Sequence, residues 1–255
     1  MSGFERRLSR IFSDDGRTVI IAIDHGLFFG SIKGLIDFKT TVTQLLEGGA
    51  DALQMSFAMT RFTKEPITKC GLIVRLDTTN LWRQKPKPQI ALHNAVFNLK
   101  QAIKADADAV VVYLFIGGEL ERKSFSLVSD IINKAHDYDL PVIVEPMIEK
   151  GIGESIAEPT ELINAARLAV EMGADILKVD YTGDQESFKE LVKTSSVPVL
   201  LRGGPKRESQ SLIDEMVKDA IKAGARGVVF GRNVWQTENV TERVKHLISL
   251  VHEKF

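Results

Sequence analysis

Eight short apolar runs recur along the chain, and between them apolar residues fall three and four positions apart. The runs are TVIIAID (18–24), ALQMS (52–56), GLIVRLD (71–77), AVVVYLF (109–115), PVIVEPM (141–147), DILKVDY (175–181), PVLLR (198–202) and GVVFG (227–231). Their length and β-branched content predict strands. The stretches between them, such as FKTTVTQLLEGG, SFSLVSDIINKAHDYD and PTELINAARLAVEMG, carry helical spacing, with only the third strand lacking a clear helix behind it. Strands alternating with helices imply a parallel sheet with crossover helices. Four junctions, GGADAL (48–53), KADADAV (104–110), MGADIL (172–177) and AGARGV (223–228), place small residues between a helix end and a strand start. No Pro/Gly/Ser-rich linker divides the sequence. The predicted fold is therefore α/β, a single (β/α)8 TIM barrel over residues 1–255, in preference to an open doubly wound sheet.

Composition narrows the partners. At 255 residues, with 44% hydrophobic and 26% charged positions, the chain can bury a large core. Lys and Arg total 33 against 34 Asp and Glu, so a net charge of -1 offers no general attraction to nucleic acid or to an anionic membrane. Anion binding must be local. The amino terminus, MSGFERRLSRIFSDDG, is too charged for a secretory signal, and no apolar run approaches the roughly 20 residues that span a bilayer. One cysteine, Cys70, rules out an internal disulfide and fits a reducing compartment. A cytoplasmic enzyme or binding protein is expected. No His/Asp/Glu spacing calls for a metal, and no cofactor is expected.

Barrel chemistry gathers where the carboxyl ends of the strands meet their following loops. Strand alternation puts Ile176, Lys178 and Asp180 on one face and Leu177 and Val179 on the other. Since the helices must meet the apolar pair, Lys178 is expected to point into the barrel. The same parity directs Ala22 and Asp24, Arg75 and Asp77, and Ile143 and Glu145 inward, with Arg202 and Gly231 at the last strand ends. A buried amine near cations has a lowered pKa, and a neutral lysine can attack a ketone to form a Schiff base. The alternative is an ion pair between Lys178 and Asp24, Asp180 or Glu145. Two glycine loops, LLRGGPKRES with Gly203 and Gly204, and VVFGRNVWQ with Gly231 and Arg232, fit a phosphate site between the last two strands.

The combination of AIDHG (22–26), GADILKVDYTGD (173–184), VPVLLRGGPK (197–206) and AGARGVVFGRNVWQ (223–236) resembles class I aldolases of the archaeal fructose-bisphosphate aldolase type. That group is similar to the DeoC/LacD superfamily, the dideoxy-heptulosonate synthases and the autoinducer-2 thiolase. The resemblance runs over nearly the whole chain. It implies that Lys178 forms a Schiff base with a keto substrate such as dihydroxyacetone phosphate, and that Asp24 assists proton handling. It also implies that Gly203, Gly204, Gly231 and Arg232 bind phosphate, and that the chain assembles into a homo-oligomer, often a decamer in the family. The expected partner is a small anionic sugar.

Departures from the pattern bear on substrate. The family carries an acid-base tyrosine at the end of the fifth strand, where VIVEPMIEKG places Met147. A thioether cannot transfer a proton. Glu145 resembles the glutamate of the tagatose-bisphosphate aldolase branch and is expected to replace that tyrosine, with desolvation tuning its pKa towards neutrality and the iminium charge pulling it down again. The alternative for Glu145 is a salt bridge to an arginine. Arg202 and Arg75 are expected either to receive a second anionic group of the substrate or to neutralise nearby carboxylates. His25 should face away from Asp24, and Tyr113 is expected in core packing, with a cavity-facing proton donor as the alternative. Phe28, Phe29 and Trp82 are expected in a loop or subunit contact. The segment MIEKGIGESIAEP is a candidate mobile cover. Alternative activities are a transaldolase-like synthase or a phospho-dione thiolase using the same lysine, and a sugar-phosphate isomerase or sensor without iminium chemistry.

Overall fold

The structure is a computed structural model that describes residues 2–63, 70–83, 85–149 and 157–253. Eight parallel strands close into a barrel: β1 (Thr18–Ala22), β2 (Ala52–Ser56), β3 (Gly71–Arg75), β6 (Ala109–Ile116), β7 (Val142–Ile148), β8 (Ile176–Val179), β9 (Val199–Arg202) and β10 (Gly227–Phe230). Their order around the barrel is β1, β10, β9, β8, β7, β6, β3, β2. The eight barrel strands match the eight expected runs. One element was not expected: after β3 the chain forms an antiparallel hairpin of β4 (Asp77–Thr79) and β5 (His93–Ala95) before the helix Leu99–Lys104.

Alternation along each strand sorts its residues into two layers. Val19, Ile21, Leu53, Val74, Val112, Val144, Leu177, Val179, Leu201 and Phe230 belong to the outer core beneath the helices. Ile20, Ala52, Ile73, Val111, Ile143, Ile176, Leu200 and Val229 form a separate cluster within the barrel. Each buried Ile or Leu contributes roughly 1.5–3 kcal/mol by leaving water. The helix Gly3–Ile11 brings Ile11 to that inner cluster, with Leu8 and Phe12 packed beside it.

The helices follow the same logic. Glu121–His136 buries Val128, Ile131, Ile132 and Ala135, a helical stripe turned to the sheet. Pro159–Glu171 starts with proline in its first turn and a reciprocal cap between Glu158 and Glu161. Asp184 caps Gln185–Ser195 by accepting from the Glu186 and Ser187 amides, so its place in the signature is explained by local structure.

Candidate active site

A cavity of about 670 Å³ opens at the carboxyl ends of the barrel strands. Lys178 reaches it from β8, because Leu177 and Val179 are held in the outer core. The lysine is 5% exposed and its Nζ donates to Glu145 Oε2 at 3.0 Å. Burial lowers its pKa; Glu145 and Asp24 oppose that, Arg75 and Arg202 add to it, and the net direction is down. The amine is therefore biased towards its neutral, nucleophilic form.

Around Lys178 the charges are woven together. Arg75, fully buried, donates from Nε to Asp24 Oδ2 at 3.0 Å, from NH1 to Asp77 Oδ1 at 3.2 Å and from NH2 to Glu145 Oε2 at 2.6 Å. Its three nitrogens each have a carboxylate partner, and it does not line the cavity. The expected contact between Arg75 and a second substrate anion is thus corrected: the guanidinium neutralises carboxylates, the alternative left open by sequence. Arg202 likewise pairs with Glu145 Oε1 at 3.1 Å and Asp180 Oδ2 at 2.6 Å, while its side chain keeps 18% exposure and lines the cavity.

Glu145 is corrected in one respect. Burial works to raise its pKa, yet Lys178, Arg75 and Arg202 outweigh burial and hold it below the ordinary value rather than near neutrality. It is an ionised acceptor. Asp24 is also pulled well below the usual carboxylate range, because Arg75, His25 and Lys178 overcome the effect of burial.

Several residues lie where sequence reasoning did not put them. Gln54, from β2, donates from Nε2 to Asp24 Oδ2 at 2.5 Å and was not singled out, although it shares the inward parity of Ala52. His25 faces Asp24 rather than turning away, with Nδ1 3.4 Å from Oδ1. Burial lowers its pKa despite Asp24, favouring the neutral imidazole. Tyr113 lines the cavity, with the Arg75 guanidinium 3.9 Å from its ring centroid. Burial and then Glu145 push its phenol well above the ordinary value, so it remains a neutral hydroxyl. Phe28, Phe29 and Trp82 also line the cavity. Asp77 Oδ2 accepts from the Tyr113 amide at 2.7 Å and lies 2.7 Å from His93 Nε2, which ties the β4–β5 hairpin to the barrel.

The two glycine loops meet on one side of the cavity, beyond β9 and β10. Gly204 has φ +63°, a conformation that favours glycine, and a Cβ on Gly231 would run into the His25 ring at Cε1. Asn233 clips the loops together: Nδ2 donates to the Gly203 and Pro205 carbonyls at 2.8 and 3.0 Å, and Oδ1 accepts from the Arg207 amide at 2.9 Å. Arg232 donates to the Gly204 carbonyl at 3.3 Å, while its buried Nε has no partner. Among the described residues no carboxylate pairs with Arg232. Burial and neighbouring Arg202 disfavour its charge, a cost that an incoming anion would relieve.

The remaining candidates contribute no competing chemistry. Burial, with Asp108 and Asp51, pushes the Cys70 thiol up to about 12, so it is a poor nucleophile. Among the described residues no cluster of His, Cys, Asp or Glu is arranged to hold a metal, and no helix is long and apolar enough to cross a membrane. Of the proposed cover, residues 147–159, the central residues 150–156 lie outside the described residues.

A parallel barrel with a buried amine in its cavity is an arrangement suited to Schiff-base chemistry. The chain belongs to the DeoC/LacD family aldolases, whose model matches residues 18–237, and it is a carbon-carbon lyase of the aldehyde-lyase type. It is 41% identical to an uncharacterized aldolase of Saccharolobus solfataricus, over 99% of this chain and 96% of that one. It is 30% identical to the 2-amino-3,7-dideoxy-D-threo-hept-6-ulosonate synthase of Halobacterium salinarum, over 99% and 92%. Among solved structures it resembles an archaeal fructose-1,6-bisphosphate aldolase whose catalytic lysine is covalently bound to the carbinolamine intermediate of the substrate. The TM-score is 0.85 and the identity 28%, over 98% of this chain and all of the other.

Proposed function

We propose that the chain is a single-domain class I aldolase that cleaves or forms a phosphorylated or otherwise anionic ketose, with dihydroxyacetone phosphate as its keto partner. The observation that carries this reading is Lys178: an amine of lowered pKa, buried in the cavity, hydrogen-bonded to an ionised carboxylate and facing the side where the glycine loops lie.

In the synthetic direction, the donor phosphate settles against Gly203, Gly204, Gly231 and Arg232. The neutral Lys178 amine adds to the carbonyl carbon. Loss of water leaves an iminium, and removal of a proton from the neighbouring carbon gives an enamine. Glu145 serves as the proton acceptor next to Nζ, and Arg75 and Arg202 stabilise its charged form. Asp24, oriented by Gln54 and Arg75, supplies a second fixed negative charge that stabilises the iminium. The enamine carbon then adds to an aldehyde, whose oxygen takes up a proton. Water releases the product from the nitrogen and restores the amine. Cleavage runs these steps backward.

Borohydride reduction in the presence of dihydroxyacetone phosphate tests the reading. Mass spectrometry is expected to find a reduced adduct on the peptide containing Lys178, absent from Lys178→Arg, which retains charge but not nucleophilicity. Unmodified wild-type protein would contradict it. The identity to the heptulosonate synthase supports a second reading, transaldolase-like transfer from the same iminium. Product analysis with a ketose donor and varied acceptors separates it from simple cleavage.

A further inference from the structure

The cavity is two-sided. The lysine and arginines that line it, Lys178, Arg202, Arg207 and Arg232, all come from β8, β9, β10 or the loops that follow them. The strand order places β6 and β3 across the barrel from β9 and β10. On that far side the lining is Tyr113 from β6 and Trp82 from the loop after β4. Phe28 reaches their rings from the turn after β1, and Met147 lies beside them on β7, where its sulfur is 3.2 Å from Arg202 NH1. Among the described residues that line the cavity, no lysine or arginine comes from β6 or from the loop after β4.

The wall is a packed aromatic surface. Trp82 and Tyr113 ring centroids lie 5.0 Å apart, Phe28 and Tyr113 5.6 Å, and Phe28 and Trp82 5.9 Å, with edge-to-face geometry in all three pairs. Arg75 sits over the Tyr113 ring, yet its polar nitrogens are occupied by Asp24, Asp77 and Glu145 and are not available to a ligand. Met147 occupies the position where the resemblance predicts a tyrosine, which replaces a hydroxyl with an apolar thioether. Apart from the Tyr113 hydroxyl and the Trp82 indole N–H, this surface offers no polar partner, so a charged or polyhydroxylated group pressed against it would lose more water than it regains in hydrogen bonds.

We propose that the acceptor half of the substrate is an uncharged aldehyde with an apolar side chain, aromatic or branched aliphatic, that stacks on Trp82, Phe28, Tyr113 and Met147. This rests on the aldolase reading above and refines it. The donor phosphate lies against the glycine loops, its carbonyl carbon reaches Lys178, and the new carbon-carbon bond projects the acceptor towards the aromatic wall. One end of the ketose is anionic and the other apolar. The condensation balances as already described: the enamine carbon bonds to the aldehyde carbon, the aldehyde oxygen gains a proton, and water frees the ketose from the nitrogen.

The test is acceptor competition. With dihydroxyacetone phosphate as donor, kcat/KM is measured for phenylacetaldehyde, 3-methylbutanal, glyceraldehyde and glyceraldehyde 3-phosphate. The apolar aldehydes are expected to exceed glyceraldehyde 3-phosphate by at least about tenfold, with Trp82→Ala erasing that ratio through KM and Trp82→Phe preserving part of it. A preference for glyceraldehyde 3-phosphate overturns the proposal. A parallel arm needs no chemistry: saturation-transfer NMR with the unreactive alcohol 2-phenylethanol. Binding lost in Trp82→Ala supports the wall, and no binding to the wild type overturns it. Failure of borohydride trapping would instead count against the Schiff-base reading, so the two failures are distinguishable.

Discussion

The two halves of the barrel interior differ by a single step along each strand. Below lie Ile73, Ile143, Ile176 and Leu200, in an apolar cluster with Ile11. Two residues further on, the same strands present Arg75, Glu145, Lys178 and Arg202, in one connected set of ion pairs. The lower half has the work of stability, since its side chains pack without polar groups to satisfy. The upper half holds buried charges that hydrophobic residues of similar size would often replace without loss. Such a cluster is understood through Lys178, whose pKa burial lowers while Arg75 and Arg202 add to that effect and Glu145 and Asp24 oppose it. The division is sharp because pleating permits no intermediate position.

Substitutions can break this division, and their effects should fall in order. Arg75→Met removes the counter-cation shared by three buried carboxylates, and is expected to destabilise the protein by about 3–5 kcal/mol in chemical denaturation and to abolish trapping at Lys178. Leu200→Ala, in the lower layer next to Lys178 in strand register, is expected to cost about 2–5 kcal/mol while the pH-rate profile stays in place. A shifted profile would mean that the two halves are not separable. Arg202→Met has a smaller and more selective effect. Arg202 helps to lower the Lys178 pKa, so its loss moves that pKa up and the neutral fraction at pH 7 down. The alkaline rise in kcat/KM should move to higher pH by about one unit, with about a tenfold loss at neutral pH that is recovered at high pH. Equal loss at every pH would show that Arg202 acts only through binding.

Much of the upper layer was readable from the sequence because it rests on parity. Lys178 between Leu177 and Val179, and Glu145 beyond Ile143, point inward for the reason that their neighbours must meet helices. Parity stops working where the strand stops. β1 ends at Ala22, and His25 has φ -60° and ψ -28°, a helical conformation that turns its ring back to Asp24. Strand alternation had predicted the opposite side. The β4–β5 hairpin was also hidden, since DTT and HNA carry no apolar alternation and Asp77 meets His93 only through the fold. Gln54 gave a usable signal, an amide at an inward position of β2, that a search for charges passes over. The direction of the Glu145 pKa depended on how many cations converge on it, and sequence cannot supply that number. The aromatic wall has the same origin: Phe28, Trp82 and Tyr113 are far apart in the chain and meet only in three dimensions.

The central claim is that burial in the barrel, assisted by Arg75 and Arg202 against Glu145 and Asp24, holds the Lys178 amine ready to lose its proton. Titration of its side-chain nitrogen by 15N NMR, assigned with Lys178→Arg, tests this directly. The account predicts a midpoint below the ordinary lysine value of about 10.5, and a higher midpoint in Arg202→Met. A wild-type midpoint at or above the ordinary value would contradict it.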